Sequence, residues 1–228
     1  MAVVLKASLI EAIFDPMSSY SDTHEKYNVF THVFGFLFGA FAFPFLIVSV
    51  AELPSTTAFD VAGSIFYGIS FLMVFGFSSL YHFQREPDKK YLLKKWDHIS
   101  IYYLIAGSYS PFLLAYASQS TAVLMLSILW GLAFTGTVFK IFYTGKYRIV
   151  STGIYLAMGW SIVAAPSDFV DSIPPLQFTW IWVGGGFYTL GVLFYLVEKI
   201  PYNHAIWHVF VVLGAMSHFI GVWSIFQG

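Results

Sequence analysis

The stretch NHAIWHVFVVLGAMSHFIGVWSIF, residues 203–226, decides the fold. It contains no Asp, Glu, Lys or Arg. A bilayer core about 30 Å thick is crossed by about 20 such residues in an α-helix, so the stretch reads as a transmembrane helix. Its first turns carry His204 and His208. Residues at i and i+4 share one helix face. Two imidazoles so placed can grip one metal ion, as in other helix-borne zinc pairs.

Working outward from this helix, six more apolar runs of similar length appear, at roughly 29–50, 58–83, 97–117, 121–142, 148–166 and 175–197. Short polar or proline-bearing breaks separate them, among them Arg85 to Lys95, Thr144-Gly145-Lys146, Asp168 to Pro175 and Glu198 to Pro201. The 228-residue chain is 58% hydrophobic and only 10% charged, whereas globular domains carry about 25% charged residues. These features predict an all-α fold, a seven-transmembrane helix bundle forming one domain over residues 1–228, with antiparallel neighbours because the breaks are short. Residues 1–20 read as an amphipathic helix on the membrane surface, through Val3, Val4, Leu5, Leu9, Ile10, Ile13 and Phe14. No cleavable signal peptide is expected, because charged residues and Pro16 interrupt the first 28 positions. The chain has no cysteine, so a transition-metal site must use nitrogen and oxygen ligands. The net charge of −1 argues against a nucleic-acid partner, since phosphate binding needs a cationic surface.

The charges orient the bundle. All 11 Lys and Arg residues fall in four places: Lys6 and Lys26 before span 1; Arg85, Lys89, Lys90, Lys94 and Lys95 after span 2; Lys140, Lys146 and Arg148 at the end of span 4 and in its loop; and Lys199 after span 6. The opposite loops carry none and hold Glu52, Asp168 and Asp171. The positive-inside rule then puts the N-terminus in the cytoplasm and the C-terminus outside. This is the reverse of a G-protein-coupled receptor. No lysine lies within span 7, which excludes a retinal Schiff base there.

Orientation brings distant residues to one depth. His82 ends span 2, Asp97 begins span 3, and His204 and His208 begin span 7, all on the cytoplasmic side. Glu25, Asn28 and His32 begin span 1 on that side. Ser78 lies one turn from His82 on the same face. Ionisable residues inside spans are costly and mark function. His82, His204 and His208 therefore read as ligands of Zn²⁺ with an open fourth position for water, the arrangement of catalytic zinc. Zinc lowers the pKa of that water to about 7. Asp97 would serve as general base or orienter, with Ser78 bonding the water, the Asp97 carboxylate or a substrate carbonyl. Asn28, Asn203 and Tyr102 are candidate partners for the outer imidazole nitrogens. Fe, Mn or Co would also suit such a ligand set.

Plainer readings stand beside these. A membrane histidine most often makes an interhelical hydrogen bond, and His32, His98 and His218 can each be that. Ser78 can be a packing serine, and Asp97 a carboxylate at a helix N-terminus. Gly184-Gly185-Gly186 reads as close helix packing. The basic loop Lys89–Lys95 reads as a topology determinant, with anionic-lipid contact second.

Several segments together resemble the bacterial hemolysin III family: Glu25-x-x-Asn28-x-x-Thr31-His32-x-x-Gly35; Ser78-Ser79-Leu80-Tyr81-His82; Trp96-Asp97-His98-x-x-x-Tyr102-x-x-Ile105-Ala106-Gly107-Ser108-Tyr109-Ser110-Pro111; Tyr155-Leu156-Ala157-Met158-Gly159-Trp160; and Ile200-Pro201-Tyr202-Asn203-His204-Ala205-Ile206-Trp207-His208 with Ser217-His218-Phe219. The resemblance runs from about residue 20 to the C-terminus. That family looks like the bacterial branch of the progestin and adipoQ receptors, in a superfamily with the alkaline ceramidases. The resemblance implies a seven-helix protein of the bacterial inner membrane with zinc near its cytoplasmic face. His82, His204 and His208 match the ligand positions, Asp97 the aspartate that holds the metal's water, and Ser78 the serine of the S-x-x-x-H motif. His98 would be an extra residue behind the ligands. It also implies a link to membrane fluidity and energetics.

Two functions follow as expectations. One is a zinc-dependent hydrolase of a lipid amide or ester, its acyl chain in an apolar cavity between helices. The other is a non-enzymatic sensor or regulator of membrane state, in which zinc staples spans 2 and 7. A proton-linked transporter ranks last, because the outer half offers only Asp60 and His218 as ionisable groups. Pore formation finds no charged helix face to line a channel.

Overall fold

The computed structural model describes residues 22–227, so the surface helix expected over residues 1–20 lies outside the described residues. All regular structure among the described residues is helical: α1 (Asp22–Glu52), α2 (Ala58–Phe83), α3 (Pro87–Tyr116), α4 (Gln119–Tyr143), α5 (Arg148–Gly159), a 3₁₀ turn (Ser161–Ala164), the single-turn α6 (Ser167–Val170), α7 (Pro175–Leu196) and α8 (Asn203–Ile225). Six of these, α1 to α4, α7 and α8, are long and apolar enough to cross a membrane.

Local chemistry sets the helix starts. Thr57 and Asp60 form a capping box at α2, with the Thr57 N–H donating to Asp60 Oδ2 at 2.9 Å and the Asp60 N–H donating to Thr57 Oγ1 at 3.3 Å. Asp60 is thus a capping residue, which removes one of the two ionisable groups a transport path would need. The Ser118 hydroxyl accepts from the Thr121 N–H at the start of α4. Pro87 opens α3 at a position where its missing N–H costs nothing. The basic stretch before residue 97, expected as a break, is therefore mostly helix. Its lysines end the apolar run without ending the helix, because lysine is a good helix former.

The fifth expected span, 148–166, is not one continuous α-helix. Its ends are fixed at opposite ends of the bundle. Arg148 donates to the Tyr195 carbonyl in the last turn of α7 and to the Glu198 carboxylate just beyond it. At the far end Ser172 Oγ donates to the Tyr116 carbonyl at 2.6 Å, and Thr121 Oγ1 donates to Asp168 Oδ2 at 3.0 Å. The hydroxyls of Ser118 and Thr121 hold the Asp168 carboxyl below its ordinary range. The chain from Arg148 to Ser172 therefore passes through the bundle, but it breaks at Trp160. The cause is Tyr109 on α3. Its hydroxyl donates to the Gly159 carbonyl at 2.7 Å and accepts from the Ile162 N–H at 3.1 Å, so a side chain replaces the helix ladder there. Tyr109→Phe leaves the buried Ile162 N–H without its partner, at about 1–3 kcal/mol, and removes the partly buried bond to the Gly159 carbonyl. The expected result is a midpoint of thermal unfolding in detergent several degrees below wild type, with the metal content described below unchanged.

α1 packs on α2 and α8, α7 on α8, and α3 runs through the middle against α2, α4, α5 and α8. The core is aromatic, with Phe43, Tyr67, Phe71 and Phe75 buried and in edge or tilted contacts. The outward faces are apolar as well: Phe41 is 73% and Ile149 78% exposed. Such continuous exposed apolar surface suits lipid. The glycine run on α7 does pack closely. A Cβ on Gly184 would lie 2.2 Å from the His218 ring and one on Gly185 3.3 Å from Trp160, whereas Gly186 faces open space.

Candidate metal centre

An apolar bundle leaves few places for polar side chains, and here they gather at one end. α2 carries His82 in its last turn and α8 carries His204 and His208 in its first two. Their exposures are 1%, 7% and 2%. One nitrogen from each lies within 4.8 Å of the others, a group that can hold a metal ion. His82 Nε2 and His204 Nε2 are 3.3 Å apart. Two nitrogens sharing one tetrahedral zinc, at about 2.0–2.1 Å each, stand about 3.3–3.4 Å apart. One proton could bridge that pair, but the His208 nitrogen converging on the same point would remain unexplained.

The outer nitrogens show which face of each ring is free. His82 Nδ1 lies 2.6 Å from Glu25 Oε2, so it carries the proton and donates it, leaving Nε2 with its lone pair toward the group. His208 Nδ1 lies 3.3 Å from the Asn28 carbonyl, which only accepts, so its Nε2 is likewise free. Glu25 is itself held: Lys90 Nζ donates to Oε1 at 2.7 Å, and Asn28 Nδ2 donates to Oε2 at 3.3 Å. A carboxylate behind a histidine, itself fixed by a cation, is the usual support of a metal-binding imidazole. The residues present therefore fit a divalent transition metal.

The other expected residues are near. Ser78, Asp97, His32, His98, His204 and His208 border one cavity. Asp97 is 15% exposed, and the Ser78 hydroxyl approaches its carboxylate without completing a hydrogen bond. His98 Nδ1 donates to the Lys94 carbonyl at 2.7 Å and stands 3.7 Å from Asp97 Oδ2. The proposed partners of the outer nitrogens fared unevenly. Asn28 is at the site. Asn203 Nδ2 instead donates to the Phe194 carbonyl, and Tyr102 packs on Tyr155. His218 lies far along α8 against Ile181. Sequence reasoning missed Glu25 as the carboxylate behind His82 and Lys90 as its counter-ion. The available signal was the Glu25-x-x-Asn28 spacing, which places both on one face of α1.

A second, apolar cavity between α3, α5, α7 and α8 shares Tyr155, Val192 and Trp207 with the first. It reaches Trp160, where α5 breaks, and His218.

The fold and site together define a multi-span helical membrane protein with a buried three-histidine cluster at one end of the bundle. The sequence profile described as "Haemolysin-III related" matches residues 20–219, and the chain belongs to this family, as the motifs lead one to expect. It is 38% identical over 195 residues to the hemolysin-3 homolog of Bacillus subtilis (strain 168), covering 86% of this chain and 91% of the relative. To hemolysin-3 of Bacillus cereus it is 36% identical, covering 86% and 88%. To the human monocyte to macrophage differentiation factor it is 32% identical over 166 residues, covering 69% of this chain and 68% of the relative.

Proposed function

We propose that the chain is a zinc-dependent hydrolase of a lipid amide or ester, held in the inner membrane of a bacterium with its zinc site at the cytoplasmic face. The observation that carries this reading is that two neighbouring cavities share Tyr155, Val192 and Trp207 in their linings: one is bordered by His204, His208, Asp97 and Ser78, the other is apolar. An acyl lipid has the same two parts. The proposed topology has seven crossings. The 12-residue α5 and the four-residue turn after it span roughly 26 Å at about 1.5 and 2.0 Å per residue, close to the bilayer core. Lys90 beside Glu25 and Arg148 beside Glu198 cluster the basic residues at the metal end, which supports a cytoplasmic N-terminus.

His82, His204 and His208 would hold the ion. Zinc, when bound, would polarise the scissile carbonyl and acidify a water to near neutrality. Asp97 takes a proton from the attacking water and returns it to the leaving amine or alcohol as the acyl carbon–heteroatom bond breaks and the acid forms. Ser78 orients the Asp97 carboxylate. The apolar lining of the adjoining cavity takes the chain and excludes water. Asp97→Asn is expected to lower release of free fatty acid by about 10²-fold or more while metal content stays at the wild-type value. Unchanged release from the purified variant would remove Asp97 from the chemistry.

A second reading rests on the site's span. Its ligands come from α2 and α8 and its brace from α1, so a metal there ties three helices together. As a regulator of membrane state, the protein would lose thermal stability on His82→Ala but release no product from any lipid, wild type included. Zinc-dependent product release by wild type decides for the hydrolase.

A further inference from the structure

We propose that His32 is a ligand-positioning residue that donates a hydrogen bond to the acyl oxygen of the molecule occupying the metal-end cavity. His32 is 3% exposed and borders that cavity. Among the described residues neither of its ring nitrogens has a hydrogen-bond partner. A buried polar group left in that condition destabilises the fold. Its neighbours would accept a plain hydrocarbon ring as readily: it stacks on His208 with centroids 3.6 Å apart at 21°, and meets the edge of Phe75 at 5.1 Å. Packing alone therefore does not account for an imidazole here.

His32 is also not a fourth metal ligand. The converging nitrogens belong to His82, His204 and His208. His32 stacks on one of these three rings and borders the cavity beside them.

Several polar groups of the same lining already have their donors engaged. Tyr155 Oη donates to the His98 carbonyl at 2.9 Å, Thr152 Oγ1 to the Arg148 carbonyl at 3.0 Å, and His98 Nδ1 to the Lys94 carbonyl. Asp97 as a carboxylate only accepts, and the Ser78 hydroxyl is directed toward it. Of these lining groups, His32 keeps an N–H to offer. A neutral imidazole carries one N–H, which suits a carbonyl, carboxylate or hydroxamate oxygen.

This inference rests on the metal-site reading, and its test separates the two. Wild type, H32F and H32Q are purified in detergent, their metal content is measured, and binding of dodecanoyl hydroxamate is measured by calorimetry. H32F keeps the ring stack and removes both nitrogens; H32Q keeps an N–H. The expected result is equal metal content in all three, binding about 10-fold weaker in H32F, and recovery of at least part of that loss in H32Q. Equal hydroxamate affinity in H32F and wild type overturns the role of His32, as does metal loss in H32F, which would make it a ligand. Should H32F not fold, H32M replaces it as the variant without a donor, against the same H32Q. Wild type that binds neither metal nor hydroxamate rejects the metal-site reading itself.

Discussion

His208→Ala is expected to strip the metal from the purified protein. Zinc sites with four protein ligands bind with about 10–16 kcal/mol, roughly 2.5–4 kcal/mol per ligand, which is about 10²–10³-fold in affinity per ligand lost. A site of three protein ligands has little to spare, and dialysis against a mild chelator should remove the ion from the variant while wild type retains it. The same change has a stability signature. A ligand present at 100 times its dissociation constant stabilises the folded state by about 2.7 kcal/mol. Chelation should therefore lower the unfolding midpoint of wild type by several degrees and leave that of H208A where it already is. His208 is 2% exposed, so its truncation also leaves a small cavity; the insensitivity of H208A to chelator separates that packing loss from the metal effect. Retention of the wild-type metal content in H208A would show that the ion sits elsewhere.

Glu25→Gln is expected to produce the second large effect without touching a ligand atom. Glu25 accepts the Nδ1 proton of His82 at 2.6 Å, which fixes the tautomer and aims Nε2 at the cluster. Loss of such a carboxylate typically costs 10–100-fold in metal affinity. Glutamine preserves size and an acceptor oxygen but removes the charge that favours the donor form of Nδ1 and that pairs with Lys90. Lys90→Met should have a much smaller effect. The Lys90 side chain is 25% exposed, and partly solvated ion pairs contribute little. Competition titration with a chromogenic chelator reads all three proteins. Equal affinities for E25Q and wild type would reduce Glu25 to a local structural residue of α1.

The three-histidine cluster was largely legible in the sequence because two independent signals met. Hydropathy placed His82 at the end of one helix and His204 and His208 at the start of another, and the confinement of Lys and Arg to alternate loops put both ends on one side. Spacing alone then put His204 and His208 on one face. Asp97 and Ser78 followed from the same depth argument, and the structure sets them on the same cavity. Other features depend on lateral packing, which depth does not specify. That α1 lies between α2 and α8, with Glu25 behind His82 and His32 over His208, is a tertiary fact with no sequence periodicity of its own. The break in α5 is another. Residues 148–166 read as an uninterrupted apolar span, and the hydroxyl that interrupts it comes from Tyr109, about 50 residues earlier on α3. The charge of the basic residues before Asp97 ends the hydropathic run and so reads as a loop, yet Pro87 opens a helix that carries them out of the apolar zone.

The central claim is that His82, His204 and His208 together bind one zinc ion. The most direct test is X-ray absorption at the zinc edge of the purified wild-type protein. The predicted spectrum is a four-coordinate shell of about three imidazole nitrogens and one oxygen at about 2.0–2.1 Å, with the outer-shell scattering of imidazole rings. A zinc-free protein, or a zinc shell of oxygen alone without imidazole scattering, would contradict it.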